Sequence, residues 1–153
     1  MTTLWRISNH VDLEGNGGRL FSSRWHSQGQ RIVFLAESPP GALIEILVHL
    51  PFRKGTLPVI YQLLRIAVPD ECVVRPLDPP AGSHWKNRPK LTQQLGDTWL
   101  ASRETPLARV PSAIMPYTWN FLLNPDHPDA AKVEVAEVIR ERFDNRLFRF
   151  GPR

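Results

Sequence analysis

The stretch RIVFLAESPPGALIEILVHL, from Arg31 to Leu50, narrows the fold more than any other part of the chain. Arg31 to Ala36 reads as a buried strand. Ser38 then offers a side-chain oxygen to the first free amides of a helix, and Pro39 suits the first turn, where its missing N–H has no intrahelical partner to lose. A strand, a cap and a helix reaching about Leu50 therefore follow one another directly. Into that helix the sequence sets Glu45, with Ala42, Leu43, Ile44, Ile46, Leu47 and Val48 around it. A carboxylate in apolar surroundings is costly unless something pairs with it. The expected partner is an arginine, with Arg24 the best placed.

The remaining chain mixes strands and helices without regular βαβ alternation, which favours an α+β domain over a doubly wound sheet. Thr3 to Ser8 alternates like a short strand, and a Gly-rich loop from Glu14 to Arg19 separates it from the next element. Val59 to Val68 and Cys72 to Leu77 read as strands, with Pro69 and Asp70 between them. DPPAGSHWKNRP is a loop. Lys90 to Ala101 has helical spacing, with Leu91, Leu95 and Leu100 as core positions, and Arg109 to Ala113, Asn120 to Leu123 and Lys132 to Val138 are short strand candidates.

At 153 residues the chain has the size of one domain, residues 1–153, able to bury a core without staples. Its 42% hydrophobic and 22% charged residues exclude disorder and a coiled coil. The net charge of +4 is diffuse, which suits anionic ligands and falls short of a nucleic-acid footprint. The first residues lack a secretory signal, and no apolar run approaches the roughly 20 residues that span a bilayer. A cytoplasmic protein is expected. Cys72, the single cysteine, has no CxxC or HxxxH company and reads as a structural thiol.

Glu45 and His49 lie four apart on one helix face, but no third ligand stands at a useful spacing, so no metal is expected. Arg19 and Arg24 flank a Gly-rich turn with Phe21 and Trp25, and guanidinium forks beside glycine suit a phosphate-bearing ligand. GNGGR matches no Walker or dinucleotide fingerprint. Ser112 and Asn120 interrupt the apolar run LARVPSAIMPYTWNFLLNPDHP. No His–Asp pair supports Ser112 as a nucleophile, so its hydroxyl is read as binding a ligand or orienting the carboxylate. Asn120 reads either as a contact to an amide or ribose hydroxyl or as a satisfied turn residue. The tryptophans Trp5, Trp25, Trp85, Trp99 and Trp119 are mainly packing candidates.

Four segments, LWRIS, GGRLFSSRWH, RIVFLAESPPGALIEILVHL and VPSAIMPYTWNFLLNPDHP, resemble in this order the RES-domain family of bacterial toxins. The resemblance covers most of the chain. It places the family's arginine at Arg24, its glutamate at Glu45 and its serine at Ser112 as the catalytic set; beside them Arg19, Trp25, Phe34 and Asn120 are read as ligand contacts. It implies an ADP-ribosyltransferase-like α+β fold, a mixed sheet with flanking helices. The implied activity depletes NAD+ by cleaving its nicotinamide–ribose bond, with no protein metal. The implied partner is an Xre-type antitoxin that covers the active site in a hetero-oligomeric complex and supplies the contact to DNA. Two positions depart from the family pattern: Phe34 stands where a tyrosine is expected, and His26 makes RWH of the usual RWN.

Loss of nicotinamide builds oxocarbenium character on the ribose, and a carboxylate such as Glu45 stabilises that charge. Water and phosphate both remain open as acceptors. A second enzymatic reading is transfer of ADP-ribose to a macromolecule. A nucleic-acid-binding module ranks last, for want of a clustered basic stripe.

Overall fold

The computed structural model describes residues 1–50, 58–82 and 84–148. Ser83 of the Pro/Gly-rich loop and the basic residues Arg149 and Arg153 lie outside the described residues. The elements follow in the order β1 (Thr2–Ile7), α1 (Gly17–Leu20), β2 (Val33–Ala36), α2 (Pro39–Leu47), β3 (Ile60–Val68), β4 (Val74–Pro76), α3 (Pro89–Ser102), β5 (Leu107–Pro111), β6 (Trp119–Leu123) and β7 (Glu134–Arg142). Short 3₁₀ turns at Trp85–Asn87, Pro128–Lys132 and Asn145–Phe148 complete them. The first of these turns falls inside the expected loop, and β7 begins later and runs further than the expected Lys132–Val138.

All seven strands form one mixed sheet in the order β4-β5-β6-β2-β1-β3-β7, with helices against it, the α+β architecture expected. Only β4 and β5 run parallel. After β2, Ser38 caps α2 as its sequence requires: its hydroxyl accepts the Gly41 N–H at 3.1 Å. Antiparallel register sets Phe34 opposite Leu122 and Ala36 opposite Asn120, so these side chains share one face of the sheet. Val33 and Leu35 point to the other face, opposite Leu123 and Phe121.

Each face buries its own core. On one, Trp25, Ile32, Leu77, Trp99, Leu100, Ala108, Val110 and Leu122 pack together, bringing α3 onto β5 and β6. On the other, Leu4, Val33, Leu35, Leu64, Ile66, Leu107 and Leu123 are covered by Leu13, Cys72, Ala130 and Val133 from connecting segments. Helix α2 packs on β1 and β2. Of the three leucines expected to anchor α3, Leu100 is buried, while Leu91 and Leu95 are half-buried. The buried face of α3 is instead Thr92, Gly96, Trp99 and Leu100. Gly96 is required there because a Cβ would lie 1.6 Å from the Trp25 carbonyl oxygen. That close approach seats the turn carrying Arg24 on α3. Among the described residues, no helix is long and apolar enough to cross a membrane.

Candidate active site

Glu45 lies on α2, half-buried, and its Oε1 receives two hydrogen bonds. The Ser112 hydroxyl donates at 3.1 Å and the Asn120 amide Nδ2 at 2.8 Å. Three segments distant in sequence thereby meet at one oxygen. Oε2 makes no hydrogen bond among the described residues, so the carboxylate keeps one oxygen for a ligand. The arginine expected to pair with Glu45 does not do so. Two neutral donors, Ser112 and Asn120, stand where an ion pair was expected.

Ser112 is buried at the end of β5, and its hydroxyl is fully used. Its single proton goes to Glu45, while its lone pairs accept the N–H groups of Ile114 at 3.1 Å and Met115 at 3.2 Å. Such a hydroxyl, its lone pairs taken by two backbone amides, positions the carboxylate. Asn120, on β6, has its Oδ1 buried without a partner. The amide orientation is fixed chemically, because a flip would turn an acceptor toward the Glu45 oxygen. Asn120 thus spends its amide donor on the carboxylate and leaves its buried acceptor unmatched among the described residues. The Trp119 N–H donates to Glu37 at 3.2 Å, and the Arg109 guanidinium lies 4.3 Å over the Trp119 ring, bracing β6 next to Asn120.

Arg24 is engaged elsewhere. Its Nη1 donates to the Lys86 carbonyl at 2.8 Å, and its guanidinium lies 5.9 Å from the Trp85 ring centroid. Its turn is tied to α3 by Thr92, whose hydroxyl donates to the Arg24 carbonyl, and by Gln93, which donates to the Ser23 carbonyl at 2.8 Å. Trp25, expected as a ligand contact, is a core residue 5% exposed and packed on Trp85. Phe34 is 39% exposed although it stands within the sheet, so this part of the sheet face is left open. His26 lies beside it, ring centroids 5.8 Å apart. Gly18 offers His26 only a carbonyl, so Nε2 carries the proton and Nδ1 accepts from the Ser23 hydroxyl. Arg19 is exposed on α1 and lines a separate cavity.

The structure thus joins Glu45, Ser112 and Asn120 by hydrogen bonds, places Phe34 on the sheet face it shares with Asn120, engages Arg24 with Lys86 and Trp85, and buries Trp25. The sequence reading passed over Glu37, Thr92, Gln93 and Gly96. Thr92 and Gly96 carried a signal, a polar and a small residue four apart on a helical face otherwise filled by Trp99 and Leu100.

A model of the RES domain matches residues 3–145. The chain belongs to the RES-domain family. Toxin Res of Pseudomonas putida is 45% identical over 147 residues, covering 95% of this chain and 99% of its own. A protein of Sphingobium sp. named Prs ADP-ribosylating toxin is 35% identical over 161 residues, covering 97% and 98% of the two chains. In three dimensions the fold is shared with the crystal structure of the Mycobacterium tuberculosis MbcT–MbcA toxin–antitoxin complex, with a TM-score of 0.70 at 19% identity over 96% of this chain and 86% of that one. The chain is accordingly a toxin of the RES family, with the single-domain α+β fold expected for it.

Proposed function

We propose that this RES-family toxin depletes NAD+ by breaking the bond between nicotinamide and ribose. The observation that carries the reading is the Glu45 carboxylate, held at Oε1 by Ser112 and Asn120 with Oε2 unbonded among the described residues. In that reaction nicotinamide leaves C1′ with the bonding electron pair and its pyridinium charge is neutralised. Positive charge grows on C1′ and the ring oxygen, where a preoriented carboxylate stabilises it without reorganising. Water or phosphate then adds at C1′, giving ADP-ribose or its 1-phosphate. Glu45 Oε2 is the acceptor left for a ribose hydroxyl, Asn120 fixes the carboxylate through Oε1, and Phe34 offers an exposed ring for stacking. Arg24 retains guanidinium N–H groups for the pyrophosphate after its single bond to Lys86.

Purified chain, freed of any partner, tests this with NAD+ labelled in the adenosine half. Release of nicotinamide with free ADP-ribose or its phosphate is the expected result. Label appearing on protein or RNA supports the second reading, transfer to a macromolecule, which the name of the Sphingobium relative favours. Intact NAD+ overturns both.

An antitoxin of the Xre type, binding DNA on the toxin's behalf and closing the cleft between the Arg24 turn and the Ser112 loop, completes the proposal. The toxin–antitoxin pairing of the structural relative supports it.

A further inference from the structure

A cavity of about 270 Å³ opens where α1, the end of α3 and the segment after β6 meet. Arg19, Arg31 and Arg103 line it, together with Gln30, Asn124 and Asp126. It shares no lining residue with the Glu45 cluster. We propose that this cavity binds the phosphate group of a small anionic ligand, separately from the Glu45 cleft.

Three guanidinium groups against one carboxylate leave a strong positive excess in a concave space. Asp126 neutralises only Arg31, to which it is ion-paired. Arg19 and Arg103 make no ion pair and no side-chain hydrogen bond among the described residues, so their forks are available. Arg31, Arg103 and Arg19 together hold the Asp126 carboxyl below its usual range, so all three act on the same small volume. Arg103 adds an independent observation. It closes α3 in the left-handed conformation, φ 52°, where glycine is the favoured residue. A side chain kept at a strained position points to a use for that side chain. The negative end of α3 faces this region, but the Leu100 carbonyl is already engaged by Asn124 Nδ2 at 3.1 Å. Planar forks converging from three segments suit the oxygens of a phosphate better than a lone carboxylate. The cavity also adjoins the far ends of β2 and β6, the strands that carry Phe34 and Asn120.

The test titrates full-length chain carrying Arg24→Gln, which removes the fork proposed for the pyrophosphate of NAD+, with pyrophosphate, inorganic phosphate and ribose 5-phosphate at fixed ionic strength, read by calorimetry and phosphorus NMR. Saturable one-site binding is expected. Arg19→Gln combined with Arg103→Gly should weaken it at least about tenfold, and glycine suits the Arg103 backbone, so the fold survives. The charge-matched pair Arg140→Gln and Arg142→Gln on β7 should alter it less than about twofold, and Asp126→Asn should tighten it. Preference for ribose 5-phosphate assigns the site to a phosphate ester, and preference for pyrophosphate to a free anion. No saturable binding, equal loss in the charge-matched control, binding of polymeric nucleic acid alone, or displacement of the probe by NAD+ would each overturn the proposal. None of these readings requires NAD+ turnover, so this site and the proposed activity stand or fall separately.

Discussion

At the scale of single residues, the division of labour around Glu45 makes distinct kinetic demands. Glu45→Gln keeps the shape of the side chain and removes the charge, so NAD+ cleavage should fall about 100-fold or more, measured as nicotinamide release. Ser112→Ala removes one hydrogen bond to the charged group while Asn120 holds the other. A loss of about tenfold is expected, equivalent to roughly 1.5 kcal/mol, and it should appear in kcat rather than KM. Near-wild-type turnover by a folded Glu45→Gln protein would refute the reading of the cleft. Arg24→Lys preserves charge but discards the planar fork, and should lower kcat/KM by about tenfold or more. Cys72 presents the opposite case. Burial, then the neighbouring Asp129 and Glu71 charges, raise its thiol pKa. Little thiolate forms at neutral pH, so labelling by a maleimide should be much slower than for a free cysteine and should accelerate on denaturation.

At the scale of elements, β2 and α2 were legible because their signals are local: an apolar run, a capping serine, a proline at the first turn. The Glu45 position was legible for the same reason. Of its partners, Ser112 was legible as a hydroxyl that orients the carboxylate, whereas the expectation of an arginine rested on charge alone and Asn120 reaches Glu45 from a strand far along the chain. Trp25 reads identically whether it stacks on a ligand or fills a core, and only the packing of α3 decides. That packing has a sharp test in Gly96→Ala. The added methyl has no room against the Trp25 carbonyl, so the turn bearing Arg24 must leave α3. A loss of roughly 3 kcal/mol is expected in chemical denaturation, with NAD+ turnover falling further than Arg24→Lys alone produces.

At the scale of the whole molecule, one sheet separates two cores, and neither face can lose its packing without exposing the other. Leu64→Ala on one face and Leu122→Ala on the other, both fully buried, should each cost about 2–5 kcal/mol. Tryptophan fluorescence, weighted to Trp25 and Trp99, and far-UV circular dichroism should show coincident transitions in both variants. Separate transitions would mean that the faces unfold independently. Within this cooperative unit lies one weak line. β2 pairs along its length with β6, but it meets β1 at the single register pair Trp5 and Ala36. Helix α2, bearing Glu45, rests on both sides of that line. The sheet therefore behaves as two plates joined by a short weld with a brace laid across it. Any tilt of one plate against the other moves the brace, and so changes the reach from Glu45 on α2 to Asn120 on β6. Deuterium should enter the backbone of β2 ahead of β3, giving the middle of the sheet the exchange behaviour of an edge.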